Sequence, residues 1–237
     1  DLFSGELQNQ PSKLNAAIEA LDAEGFQIHF HAIGDYAIEV SFDSLQNARE
    51  KNGKRDSRHH ISHIEVFQEK DISRFNELDV VANFQPLWAI EDEYITEHTW
   101  PKIGQERSKY LYPIGSVKRS GGKIAFGSDW YVTSVNPLDG IETAVTRLEP
   151  NGLTKNPLGV NEEIGLADAI EAYTLNGAYV NFLDKKVGSI EVGKQADLIV
   201  LDKNLFEIPP KEINESRVLA TIFNGDIVFG SYEDLQN

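Results

Sequence analysis

The chain has 237 residues, 41% hydrophobic and 25% charged, and its 38 Asp+Glu against 22 Lys+Arg leave a formal net charge of -16 at pH 7. That balance excludes a disordered chain, and the acidic excess, unrelieved by any basic cluster interleaved with aromatics, excludes a phosphate backbone as partner. With no cysteine there is neither a disulfide nor a thiolate ligand, so imidazole and carboxylate must hold any metal, and no apolar run is long enough to cross a bilayer. The chain starts at Asp1 and contains no methionine, which leads us to expect an internal piece of a longer protein; modified methionines left out of the sequence are the alternative. A cytoplasmic location is expected, with periplasm and secretion left open.

In chain order, Leu14, Ala17, Ile18 and Leu21 fall at helical spacing over residues 12–24, with Ser12 as cap and Gly25 as stop. A strand follows at 26–31, ending in His29-Phe30-His31 before Gly34-Asp35 turns the chain, and residues 38–49 form an amphipathic helix closed by Gly53. The order then repeats: a strand at 60–65, a helix at 69–78 and a strand at 80–84. A long loop-rich stretch over 85–105 holds Trp88, His98 and Trp100, and loops of that length are commonly functional. A short helix over 112–120 leads to a strand at 123–127, and Asp129 stands at its exit.

Strands and helices alternating at this cadence predict parallel βα units, either half of a (βα)8 barrel or a small open sheet. Beyond Asp129 the pattern predicts helices over 136–148 and 165–178, a strand at 196–202, and a hairpin across Asn224-Gly225-Asp226. The tail reads as part of a small β layer, with a boundary near residue 185.

In both parallel architectures the chemistry gathers at the C-terminal strand ends, where His31, His63 and Asp129 fall. Two imidazoles and a carboxylate suit a divalent metal, most simply Zn2+, with one position open for catalysis. Asp129 is the candidate general base, and His63 is both a ligand candidate and a catalytic candidate. Strand alternation places His29 on the face of His31 but deeper, puts His59 on the face of His63, and turns His60 away. Asp35, Asn83, Gln85, Trp88, His98 and Trp130 are candidates for a substrate pocket. No glycine lies in a phosphate-loop or GxGxxG setting.

The ordered set HAIGD at 31–35, RHHISHIE at 58–65, NFQP at 83–86, FGSDW at 126–130, NPLDGIETAVTR at 136–147, EAYTLNGAY at 171–179 and GSIEVGKQADLIVLDKNLFEIPP at 188–210 resembles the amidohydrolase superfamily. It is most similar to the branch holding N-substituted formamide deformylase and exoenzyme-regulatory-like metal-dependent hydrolases. The resemblance implies a (βα)8 TIM-type barrel with a composite β-sandwich, and hydrolysis of amide, formamide or cyclic amide C–N bonds at one or two divalent ions. It implies that His31 and His63 are the ligands ending strands five and six, and that Asp129 is the strand-eight carboxylate.

The HxH of strand one and the strand-four ligand of that pattern have no counterpart here. The chain is therefore expected to be the C-terminal half of such a protein: α/β, strands five to eight of the barrel over 1–184, and the C-terminal part of the sandwich over 185–237. Its expected partners are a small-molecule substrate and the missing N-terminal half of the same polypeptide, with a homodimer left open and no nucleic acid or membrane. A catalytically inactive regulatory or interaction protein is the alternative function.

Overall fold

The structure, a computed structural model, describes residues 7–152, 154–159 and 161–231, so the outer ends of both expected domains lie outside the described residues. The described residues fall into two compact units, one within 7–84, 93–124 and 159–162 and a second within 85–92, 125–158 and 163–231, leaving out the undescribed 153 and 160.

In the first unit, helix α1 (Pro11–Ala23) starts with a proline, whose fixed φ and missing N–H suit a first turn; Gln10, not Ser12, is the cap residue. Gly25 at φ 86° ends it, with Gly25 N–H donating to the Asp22 carbonyl at 2.9 Å and Phe26 N–H to that of Leu21 at 3.0 Å. Strand β1 (His29–Ala32) leads into α2 (Asp35–Asn52), which packs along α1 and stops at Gly53, φ 85°. Strand β2 (His60–His63) follows.

The helix expected over 69–78 forms as a 3-10 turn, Glu69–Asp71, and a single turn α3, Arg74–Glu77, before strand β3 (Val81–Phe84). The stretch expected to be loop-rich contains a π-helix, Tyr94–Thr99, and α4 (Trp100–Ser108). Helix α5 (Ile114–Arg119) then precedes strand β4 (Ile124–Phe126).

The parallel sheet has the order β1-β2-β3-β4. Its register sets His29 beside His60 and His31 beside Ser62, then His60 beside Val81 and Ser62 beside Asn83. Strand β2 is buried throughout, whereas β1 buries only Ala32. In the core of this unit, the Phe42 and Phe75 rings meet edge to face at 4.8 Å and Phe67 stacks on Phe75 at 5.8 Å, all three buried.

In the second unit, α6 (Pro137–Thr146) is capped by Asn136, whose side-chain oxygen accepts from Leu138 N–H at 3.1 Å. It ends at Arg147, left-handed at φ 57° and fully buried, whose Nε donates to the Leu158 carbonyl at 2.9 Å and so fastens the following loop. The single helix expected over 165–178 is two, α7 (Leu166–Tyr173) and α8 (Leu175–Val180). Thr174 breaks it at φ -111°, ψ -86°, and its hydroxyl donates back to the Ile170 carbonyl at 2.7 Å.

Strands β5 (Leu198–Leu201), β6 (Val218–Phe223) and β7 (Asp226–Phe229) form an antiparallel sheet in that order. Asn224 at φ 51° and Gly225 at φ 90° supply the two left-handed residues that a tight hairpin needs. One face buries Ala220, whereas Ile199, Phe223 and Phe229 are exposed.

The fold is α/β, with a parallel sheet and a separate antiparallel sheet. The expected assignment as strands five to eight of a barrel plus a sandwich remnant does not hold. Those ranks came from the family resemblance and not from the strands themselves, which form one sheet in chain order β1-β2-β3-β4.

Candidate functional site

Four histidines on neighbouring strands β1 and β2 meet in two pairs, His29 with His60 where the strands begin and His31 with His63 toward their ends. The rings of His29 and His60 lie 4.2 Å apart and tilted, and His29 Nε2 is 2.6 Å from the Ser62 hydroxyl. The rings of His31 and His63 meet edge to face at 4.4 Å. His63 opposes Ala32 in the register, one position off the row of His31 and Ser62, so plain alternation would send the two side chains to opposite faces. It reaches His31 because its backbone is left-handed at φ 80°, followed by Ile64 at φ 55°. A β-branched residue there is a genuine outlier, and strain of this kind, about 1–3 kcal/mol per residue, characteristically marks working sites.

The strand-face assignments of two residues are thereby corrected. His60, expected to point away, lies against His29; His59, expected on the face of His63, is buried elsewhere. Its Nδ1 accepts from Ile28 N–H at 2.9 Å, leaving Nε2 to donate to Asp22 Oδ1 at 3.1 Å. Arg55 Nε also donates to that oxygen at 2.9 Å, and the Asn52 amide to the other at 2.8 Å. Burial pushes the Asp22 carboxyl up, but the bonds from Asn52, Arg55 and His59 together hold it below its ordinary range. Burial also lowers His59, against the pull of Asp22. This group ties α1 to the start of β2 and is structural. Burial, reinforced by the neighbouring His29, pushes His60 down to about 4.

Of the other candidates, Asp35 opens α2 just past β1; its Oδ1 accepts from Tyr36 N–H at 2.9 Å and its Oδ2 pairs with Arg107 at 2.9 Å. Asn83 is half-buried on β3 in the row of Ser62, and His98 is exposed on the π-helix with its ring 6.0 Å from Tyr94. These three belong with His31 and His63 in the first unit, while Gln85, Trp88, Asp129 and Trp130 belong to the second. Gln85 is buried, and Trp88 closes a 3-10 turn, Pro86–Trp88. Asp129 is exposed and left-handed at φ 50°, and its carbonyl accepts from Val132 N–H at 2.8 Å. Trp130 is 71% exposed and Tyr131 86%.

The donor chemistry of the His31–His63 pair fits a divalent ion as two of its ligands. Among the described residues, no group of three or more His, Asp or Glu side chains is close enough to share one.

A profile of the amidohydrolase family matches residues 3–229. Protein LONG AFTER FAR-RED 3 of Arabidopsis thaliana is 35% identical over 216 residues, covering 91% of this chain and 36% of that protein. N-substituted formamide deformylase of Arthrobacter pascens is 28% identical, over 85% of this chain and 36% of the enzyme. Among solved structures, an uncharacterized metal-dependent hydrolase from Pyrococcus furiosus superposes with a TM-score of 0.63 at 26% identity, over 82% of this chain and 37% of that one. The chain thus spans a little over a third of the length of these relatives.

The family match runs along nearly the whole chain. The expected reading as a C-terminal half, and with it the absent N-terminal half as partner, does not follow from that match. With residues 3–229 matched and the ordered motifs around His31, His63 and Asp129 in place, this chain belongs to the amidohydrolase family.

Proposed function

We propose that the chain serves metal-dependent hydrolysis of an amide, formamide or cyclic amide C–N bond in a small-molecule substrate. The observation that carries the reading is the edge-on pair of His31 and His63 at 4.4 Å, set at adjacent strand ends by a strained left-handed turn. Family membership and the metal-dependent hydrolase among the similar structures support it.

In this reading His31 and His63 would supply two of the ligands of a divalent ion, most simply Zn2+, and Asp129 is the carboxylate assigned to the proton of the attacking water. When bound, the ion supplies the Lewis acidity that polarises the scissile carbonyl and eases deprotonation of water. The Asp129 carboxylate takes the proton of the attacking water and returns it to the departing nitrogen as the C–N bond breaks, so that amide and water become carboxylic acid and amine. The His63 imidazole, buried and fixed by its turn, orients the carbonyl oxygen. Asp35, Asn83, Gln85, Trp88, His98 and Trp130 are the side chains we assign to substrate contacts.

Zinc titration tests the assignment. Ion at about 100 times its Kd should stabilise the folded protein by about 2.7 kcal/mol, read as a rise in Tm. The rise should vanish in His31→Ala and His63→Ala. Asp129→Asn should retain the fold and lose turnover of N-substituted formamides. An unchanged melting curve with zinc would favour the catalytically inactive interaction protein.

A further inference from the structure

The segment from Tyr94 to Tyr112 is fastened at the strand ends that carry the histidine pair. At its far end Tyr112 N–H donates to the Glu65 carbonyl at 2.9 Å and Leu111 bridges to Val66, both just beyond His63. At its near end the π-helix buries Ile95 and Thr99. Between these anchors, α4 buries no residue, and it is not one helix: Gly104, at φ 77° and ψ 167°, divides it into two short turns. That conformation is open only to glycine at low cost. Arg107 ties this unburied middle to Asp35 at 2.9 Å, with side chains 45% and 22% exposed. A short exposed helix with no buried side chain has little local stability of its own, and an exposed ion pair is a weak tie that salt screens.

We propose that Trp100–Ser108 is a strap that swings about Gly104 beside the ends of β1 and β2, and that Arg107–Asp35 is the latch holding it back. In the latched arrangement the His31 ring is exposed, so the latched state is the one that admits a substrate, and release lets the strap fold over the histidines. Arg107 is a positioning residue here, acting through Asp35. The access role rests on the reading of His31 and His63 as the reacting end; the strap and latch do not.

Hydrogen–deuterium exchange on the full chain tests the latch without metal or turnover. Arg107→Gln should speed exchange over 100–108 at least about tenfold while the interior of α2 stays unchanged, and Arg107→Lys should fall close to the parent. Raising NaCl to about 0.5 M should reproduce the acceleration in the parent chain. Exchange over 100–108 that ignores both Arg107→Gln and salt, or a rise spread over the whole chain in the salt arm, would overturn the proposal. Carbethoxylation of His31 by diethyl pyrocarbonate reads access: Arg107→Gln should slow it at least about twofold, and an equal or faster rate would remove the access role. Absence of turnover in the parent protein would count against the hydrolase reading alone and leave the exchange result intact.

Discussion

His60 is 7% exposed and lies against a second imidazole, so a proton placed on it meets both desolvation and the charge of His29. Its folded-state pKa of about 4 lies below the ordinary 6.5, so between those values the folded chain binds fewer protons than the unfolded one. Stability is therefore full above pH 6.5 and is lost as pH falls toward 4, by on the order of 2–3 kcal/mol. Thermal melts of the metal-free protein between pH 7 and 4 should show this loss, and His60→Gln should flatten it.

The same residues show how far the sequence could be read at this scale. His63 and GSD stand at or just past strand ends as their flanking residues imply, whereas HxH, expected to end a strand over 26–31, opens β1 at His29. The partnership of His31 with His63, and of His29 with His60, was not legible. The first depends on two successive left-handed residues, His63 and Ile64, where no propensity rule places an isoleucine, and the second on the register that sets His29 opposite His60. Alternation counted back from His63 therefore put His59 on the site face and His60 off it, whereas the register sets His60 opposite His29. Asp129 also sits at a left-handed exit, at φ 50°, which Gly127-Ser128-Asp129 only partly advertises.

Among the elements, α6 and α8 show that two glycines in similar helical runs do different work. An added Cβ at Gly140 in α6 would stand 1.9 Å from the Tyr173 hydroxyl of α7, so the helices approach through that gap. At Gly177 in α8 the nearest atom would be 3.9 Å away, an ordinary contact. Gly140→Ala should cost about 1–3 kcal/mol by overpacking, while Gly177→Ala should add about 0.5–1 kcal/mol through a stiffer unfolded chain. Denaturant midpoints of the two variants check the contrast. Helix starts were legible where chemistry is local, as at Asn136-Pro137. The split at Thr174 and the π-helix over Tyr94–Thr99 were not, because tertiary packing and a competing hydroxyl decide them. The shrinkage of 69–78 to two single turns has the same origin, since its apolar spacing was too short to hold a full helix.

Across the molecule, alternation of strands and helices correctly announced parallel pairing among β1, β2 and β3. Motif order announced the family as well. What it could not do was assign those strands a rank in a larger barrel, because a strand's sequence encodes its burial and neighbours and carries no ordinal.

The antiparallel sheet ends in two outer strands, β5 and β7, that present Ile199 and Phe229, with Phe223 beside them on β6. Such greasy borders invite like molecules to stack. Mutual repulsion from a net charge of -16 opposes that stacking. Colloidal behaviour should accordingly invert the usual expectation for an acidic protein: in dilute buffer it stays dispersed, and at about 1 M NaCl, where screening reaches about 3 Å, light scattering should climb. Phe229→Lys should suppress that climb.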